Sequence, residues 1–319
     1  MLVRCPLDSQ RLTARISWLK REVIVGFGTT NIDGILSSYS EYLHHGHPEN
    51  AKRFDQNRAS DREAAVAEAV VFGMLQGFNV DPQINDEIKK GGADFICCAS
   101  RGSLRRRLPQ DRFVVEATSL SPDAVTNRSG IRNEVPDDIR GGAIGLVTRN
   151  ICYKAKDKAT QLGDYPMPRI LAIASSHAGI PALFNSATAT WALVSDPHWR
   201  QENGSSAVDS AEYTDLEKSV FIKPGPNGTI IACRKSISAI LLVAVYGNKS
   251  EVWGILHPEA ARPLSIAFLP DLPFVRIAPW PVVDGRILTE WVVASPSGHS
   301  VYHFPVRLPK ANRRGAPSS

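Results

Sequence analysis

The sequence lacks a hydrophobic run long enough to cross a membrane. Its longest apolar stretch, 237–246, is interrupted by a serine and is much shorter than the roughly 20 residues that a membrane span requires. The amino terminus, from Met1 to Pro6, also has no apolar signal core. We therefore expect no transmembrane segment, no membrane partner and a cytoplasmic location.

Cysteine is scarce as well. The chain has five cysteines among 319 residues, an odd number whose spacing does not match that of zinc sites. Two of them, Cys97 and Cys98, are adjacent in an apparent buried strand. Because a free cysteine behaves as a small hydrophobic residue, we expect all five to be reduced and mostly structural.

The overall composition is that of a globular protein. Hydrophobic residues make up 43% of the chain, enough for a full core, and the length allows one large or two smaller domains. The formal net charge of +5 mildly favours a polyanionic partner, because lysine and arginine neutralise phosphates. Many soluble proteins that bind no nucleic acid are equally basic, so the charge alone identifies no partner.

The first candidate site residue lies in a predicted helix over 60–77. Ser60 and Glu63 have the spacing of a capping box at its start, and Gly77 is typical of its end. Within this helix, five residues form an apolar stripe with helical spacing: Ala64, Ala67, Val71, Met74 and Leu75. Glu68 lies beside that stripe, and a carboxylate at the edge of a core is either paired or takes part in chemistry.

Two predicted strands after this helix each carry a carboxylate. The first covers 93–99 and begins beside Asp94, and the second covers 113–117. Alternation in the second strand places Glu116 and Thr118 on one face. A helix and two strands that together present three acids can hold a divalent cation against a phosphodiester.

A basic segment separates the two strands. Arg105, Arg106 and Arg107 are predicted at the tip of the hairpin that joins them, which places several cations beside the acids. These arginines either contact a nucleic-acid backbone or keep a solvated sheet edge from aggregating, and the sequence favours neither. A charged loop is predicted over 81–92, before the first of the two strands.

The next predicted helix, over 144–162, carries a polar face. Lys154, Lys158 and Gln161 are spaced four and three residues apart, so they share that face. Three further elements are predicted after it: a buried strand at 168–174, a helix at 179–194 and a second buried strand at 237–246.

Three histidines, His44, His45 and His47, precede a polar stretch over 48–60 that has loop composition. We expect them in a solvated loop. The alternative is a transition-metal site in an enzyme that acts on small molecules, which requires the three rings to converge on a pocket.

The three acids, in the order helix, strand and strand, resemble the restriction-endonuclease-like nuclease superfamily, the PD-(D/E)xK fold. Gly92-Ala93-Asp94 stands where that family has Pro-Asp, and Glu116-Ala117-Thr118 stands where it has Glu-x-Lys. The similarity extends through the helix that carries Lys158 to the strand after it. It is shared with uncharacterised bacterial proteins of this fold, which have a region similar to His257-Pro258-Glu259-Ala260.

The resemblance implies an α/β fold with a mixed central sheet flanked by helices, and a metal-dependent phosphodiesterase activity on DNA or, as the second choice, RNA. It implies Asp94 and Glu116 as ligands of Mg²⁺ or Mn²⁺, with Glu68 acting through water or as a third ligand. Lys158 and Gln161 are then expected to position water or phosphate. Further contacts to the nucleic acid are expected from four residues: Lys154, Arg105, Arg106 and Arg107.

One position departs from the family pattern, because Thr118 occupies the lysine position and supplies no positive charge. Either a lysine reaches in from the following helix, with Lys158 the first candidate and Lys154 the second, or the site has lost its activity. In the second case the domain binds nucleic acid or a protein partner without cleavage. An amino group of Lys158 within salt-bridge range of the two strand acids favours the first alternative.

The resemblance also suggests a division of the chain. We predict an amino-terminal helical segment over 1–59, a nuclease-like core over 60–265, a β-rich carboxy-terminal appendage over 266–308 and a disordered basic tail over 309–319. In the appendage, Asp284-Gly285 is a hairpin signal between predicted strands at 280–283 and 287–293, and Ser297-Gly298 is a second. A homodimer would suit a double-strand cut, but no interface is evident in the sequence.

Overall fold

The structure is a computed structural model that describes thirteen ranges of the chain. They are 31–78, 80–85, 92–99, 111–120, 141–163, 165–176, 183–195, 197–198, 213–214, 216–246, 249–282, 287–295 and 298–305. None of the helices in these ranges combines the length and the apolar character that a membrane span needs.

Three consecutive helices begin the described chain: α1 (Ile32–Gly46), α2 (Pro48–Ser60) and α3 (Arg62–Gly77). The prediction of a loop over 48–60 is wrong. Pro48 stands in the first turn of α2, where its missing N–H costs nothing, and Ala51 and Phe54 are buried on one side of the helix. The described histidines His44 and His45 accordingly lie within α1 and not in a loop.

The predicted start of α3 is displaced by one residue. Asp61, not Ser60, is the N-cap, and its Oδ1 accepts a hydrogen bond from the Ala64 N–H at 3.1 Å. Ser60 ends α2, where its hydroxyl donates to the carbonyl of Gln56 at 2.9 Å. The helix includes Gly77 and is capped by Phe78, whose N–H bonds to carbonyls of the last turn.

Two further α-helices, thirteen strands and three single-turn 3-10 helices complete the described elements. The helices are α4 (Gly141–Gln161) and α5 (Ser186–Val194). The strands are β1 (Val80–Ile84), β2 (Phe95–Ala99), β3 (Arg112–Ser119), β4 (Arg169–Ser175), β5 (Pro197–His198), β6 (Tyr213–Thr214), β7 (Ile222–Pro224), β8 (Ile230–Ala232), β9 (Ala239–Tyr246), β10 (Lys249–Leu256), β11 (Phe274–Ile277), β12 (Leu288–Ser295) and β13 (Gly298–Pro305).

Nine strands form one mixed sheet in the order β1-β2-β3-β4-β9-β10-β11-β12-β13. The first three pair antiparallel, whereas β3, β4 and β9 run parallel to one another. Parallel neighbours need a crossover connection, and α4 lies in the chain between β3 and β4. The expected α/β class, with a mixed sheet flanked by helices, is therefore confirmed.

The two faces of the sheet pack against different helices. One face of the core contains buried residues of α1, α2 and α3, and the other contains those of α4 and α5. Alternation along β3 assigns its residues to these faces, because Val115 belongs to the first cluster and Val114 to the second. Glu116, two residues after Val114 and predicted to share its face, is therefore directed toward the α4 side.

Two predictions of where the strands lie are wrong. The segment from 81 was predicted as a loop, but β1 occupies Val80–Ile84 and pairs with β2 at the edge of the sheet. The strand predicted at 280–283 is instead β11, at Phe274–Ile277, which pairs antiparallel with β12. The Asp284-Gly285 signal lies outside the described residues.

The strands that were predicted as a separate appendage continue the same sheet. β11 pairs parallel with β10, and β12 and β13 extend the order as an antiparallel hairpin in which Ser295 is opposite Gly298. The proposed domain boundary near residue 265 remains a prediction. The disordered tail over 309–319 also remains a prediction, because it lies outside the described residues.

Candidate active site

The acidic strand β3 presents Glu116 in a nearly closed environment. Its side chain is only 4% exposed, and Oε1 accepts a hydrogen bond from Nζ of Lys158 at 2.5 Å. The second oxygen, Oε2, is buried and has no hydrogen-bond partner among the described residues. One carboxylate oxygen is therefore paired with a cation, and the other is enclosed without a partner among the described residues.

Asp94 lies immediately before β2, beside Glu116. The register that pairs Phe95 with Val115 brings Asp94 next to Glu116 on the adjacent strand. Its Oδ2 accepts a hydrogen bond from the backbone N–H of Ala117 at 2.8 Å. This bond fixes the carboxylate across the two strands.

The backbone that leads to Asp94 is held by one tyrosine. The hydroxyl oxygen of Tyr165 accepts hydrogen bonds from the Ala93 N–H and from Nδ2 of Asn85, both at 2.8 Å. A Cβ at Gly92 would lie only 2.1 Å from that hydroxyl oxygen, so a side chain at residue 92 would have to displace Tyr165. The close approach of Tyr165 therefore favours a residue without a side chain at position 92.

Glu68 reaches the site from α3. Its side chain is 9% exposed, and its Oε1 accepts hydrogen bonds from the Tyr39 hydroxyl at 3.0 Å and from Nη2 of Arg53 at 3.2 Å. The same Arg53 nitrogen is 3.9 Å from Oδ1 of Asp94. Arg53 therefore links the helix acid to the acid at the start of β2.

Helix α4 supplies the second cation. Nζ of Lys158 donates to Glu116 and to Oε1 of Gln161, the latter at 2.9 Å, and Nε2 of Gln161 is 3.4 Å from the carbonyl oxygen of Gly92. The structure thus brings together five predicted site residues: Glu68, Asp94, Glu116, Lys158 and Gln161. Lys154 is partly exposed one turn before Lys158 on the same helix.

Burial raises the pKa values of all three acids, and the charge of Asp94 adds to the rise at Glu68 and at Glu116. Burial raises the pKa of Glu68 to about 7, with a further contribution from the charge of Asp94, against the lowering effects of Arg53 and Tyr39. Burial and the charge of Asp94 likewise raise the pKa of Glu116 to about 7, although Lys158 opposes the rise. The pKa of Asp94 is also raised by burial, against the Ala117 N–H, Arg53 and Lys158.

These pKa directions show that two cations do not fully compensate three carboxylates. Clustered carboxylates with raised pKa values are typical of functional sites and also of structural ion-pair networks. The free Oε2 of Glu116 beside Asp94 fits a divalent cation, since Mg²⁺ takes carboxylate oxygens. Across the described ranges, however, no group of three or more His, Cys, Asp and Glu side chains is arranged to hold a metal ion.

The histidines do not converge. Nε2 of His44 is 3.0 Å from Oδ2 of Asp55 on α2, and Nδ1 of His45 is 2.9 Å from the carbonyl oxygen of Glu41 one turn earlier. His47 lies between α1 and α2, with its ring against Tyr42. The rings thus serve local contacts, which gives no support to a small-molecule site built from them.

Sequence reasoning missed Arg53, Tyr39 and Tyr165. Arg53 lies in the segment predicted as a loop, and the signal that was available is the Ala51 and Phe54 spacing of a short amphipathic helix. The arginines at 105–107, predicted to contact nucleic acid, lie outside the described residues. Comparison of the chain with family models, with curated proteins and with solved structures finds no match.

Proposed function

We propose that the chain is a Mg²⁺-dependent phosphodiesterase that cleaves DNA, with RNA as the second candidate substrate. The observation that carries the proposal is the 2.5 Å contact between Nζ of Lys158 and Oε1 of Glu116. It supplies, from α4, the positive charge that Thr118 does not provide on β3. The order of α3, β2, β3, α4 and β4 is also the order of elements on which the resemblance to PD-(D/E)xK nucleases depends.

In this proposal Asp94 and Glu116 hold the metal ion. Mg²⁺ is commonly bound by one or two carboxylates, with waters and substrate phosphate oxygens completing its coordination, so a pair of acids is sufficient. The bound ion supplies charge neutralisation at the phosphoryl group and lowers the pKa of a coordinated water. Oε1 of Glu68 already accepts hydrogen bonds from Arg53 and Tyr39, which favours a role for Glu68 that does not involve direct binding of the metal ion.

The protein's own groups then orient the attack. Lys158 holds Glu116 in place, and because an ammonium has three N–H donors, the bonds to Glu116 and Gln161 leave one donor for a water or a phosphate oxygen. Gln161 accepts from Lys158 and lies near the Gly92 carbonyl, so it restricts where that ammonium can point. Holding the attacking water and the phosphate in one geometry is the main contribution that such a site can make.

A second candidate function, nucleic-acid binding without cleavage, follows from the same contacts. Lys158 and Arg53 already form ion pairs with Glu116 and Glu68. In addition, no group of three metal-binding side chains is found in the described part of the chain. In that case the acids and cations form a structural ion-pair network. The two functions differ in whether metal ions permit strand cleavage.

Cleavage of supercoiled plasmid and of single-stranded DNA, with Mg²⁺ or Mn²⁺, tests the proposal. We expect metal-dependent nicking by the wild type, and a loss of at least about 100-fold in Asp94→Ala and Lys158→Ala, the range for a positioned catalytic group. Lys156→Ala is the matched control, because Lys156 is exposed on the same helix. DNA retained without cleavage would establish the binding module; neither cleavage nor binding would overturn both functions.

A further inference from the structure

Arg53 has no counterpart in the motif that carries the resemblance, yet it lies between two of the three acids, Glu68 and Asp94. It belongs to α2, and α2 is fixed to its neighbours by Phe54, whose ring packs edge-on against Tyr39 at 5.0 Å between centroids. The Arg53 side chain is 31% exposed, so its guanidinium is partly withdrawn from water. Its position is thus set by the packing of the helix and not by a mobile surface segment.

The guanidinium lies between two carboxylates that belong to different elements. Its Nη2 is 3.2 Å from Oε1 of Glu68 and 3.9 Å from Oδ1 of Asp94. Nη2 thus donates a hydrogen bond to Glu68 and is in ion-pair range of Asp94, whereas Nε is buried without a hydrogen-bond partner among the described residues. On the other side of Asp94, Oδ2 bonds to the Ala117 N–H, and Glu116 presents its free Oε2.

Two-metal phosphodiesterase sites place their ions about 3.5 to 4 Å apart, with carboxylates between and around them. In this chain, the place between Glu68 and Asp94 that a second ion would need already holds a fixed organic cation. We propose that Arg53 substitutes for a second metal ion, so that the site binds one divalent cation, at Asp94 and Glu116. The inference rests on the proposed function, and it makes Arg53 a positioning residue for the two acids.

Counting bound ions tests this inference without using activity. Titration of the protein with Mn²⁺ by isothermal calorimetry should give one site in the wild type and in Arg53→Lys, and two sites in Arg53→Gln. Arg58→Gln, an exposed arginine on the same helix, is the matched control and should retain one site. Electron paramagnetic resonance supplies a second readout, because two neighbouring Mn²⁺ ions in Arg53→Gln should broaden each other's spectrum.

The possible outcomes separate this inference from the proposed function. Two ions in the wild type, or one ion in both the wild type and Arg53→Gln, would overturn the substitution by Arg53 and leave the metal site standing. No bound ion in the wild type would overturn both. Should Arg53→Gln unfold without metal, recovery of its circular dichroism at saturating Mn²⁺ supports the inference, and continued unfolding overturns it.

Discussion

Replacing Glu116 with glutamine should stabilise the metal-free protein at alkaline pH. The side chain is buried, its Oε2 has no partner in the described residues, and its pKa is raised by burial and by Asp94 from 4.5 to about 7. One pKa unit corresponds to about 1.4 kcal/mol, so the ionised form is disfavoured in the folded state by about 3 kcal/mol. Glutamine has nearly the same shape and carries no charge.

The sign of the effect follows from proton linkage. Between pH 4.5 and about 7 the folded chain keeps a proton at Glu116 that the unfolded chain has released. The contribution of Glu116 to the free energy of unfolding is therefore largest below pH 4.5, and it is lost as the pH rises through about 7. Glu116→Gln removes this loss, although Lys158 no longer has an ionised partner at residue 116 and keeps its bond to Gln161. We expect a net gain of about 1 to 3 kcal/mol above pH 7 and little difference near pH 4.

Urea denaturation in the presence of a chelator measures this difference across the pH range. The neutral His257, whose pKa is lowered by burial to about 4, opposes the trend in the wild type, but it is present in both proteins and cancels in the difference. Glu41→Gln, at an exposed position on α1, serves as control and should show no such pH dependence. A destabilised Glu116→Gln above pH 7, or a difference that does not change with pH, would refute the reasoning.

Two further predictions concern the support of the site and its contact with nucleic acid. Gly92→Ala should lower the free energy of unfolding by about 1 to 3 kcal/mol, the usual cost of overpacking, because the added Cβ meets the Tyr165 hydroxyl. In urea denaturation the same change should cost less when it is made in Tyr165→Phe, which lacks that hydroxyl. In a fluorescence titration, Lys154→Ala should weaken binding of single-stranded DNA and lower the slope of log K against log salt concentration by about one. Lys156→Ala should have a smaller effect, and equal effects of the two changes would contradict a directed contact of Lys154 with the DNA.

The parts of the site that the sequence predicts are those with strong periodicity. The alternation along β3 places Glu116 on one face, and the four-and-three spacing on α4 places Lys158 and Gln161 together. Both elements have one side in the core, so a shift of register would bury charged groups. Periodicity therefore predicts which side chains share a face, but the meeting of β3 and α4 depends on the crossover between parallel strands.

The missed parts have weak local signals for physical reasons. Helix α2 buries only Ala51 and Phe54 of its thirteen residues, so its sequence is that of a polar loop, although it delivers Arg53. Strand β1 contains Asp81 and Pro82, residue types that are rare in strands. Its place at the edge of the sheet explains why they are tolerated, since an edge strand has a side on which no N–H is needed.

The candidate site is assembled from both layers around the sheet. Arg53 and Glu68 come from the layer of α1, α2 and α3, whereas Lys158 comes from α4 on the opposite face. Asp94, immediately before β2, interacts with cations of both layers: Arg53 lies 3.9 Å from its Oδ1, and the charge of Lys158 also lowers its pKa. Strand β3 carries no positive charge at Thr118, but Lys158 supplies one to Glu116 from α4, because this helix packs on the side of the sheet toward which Glu116 is directed.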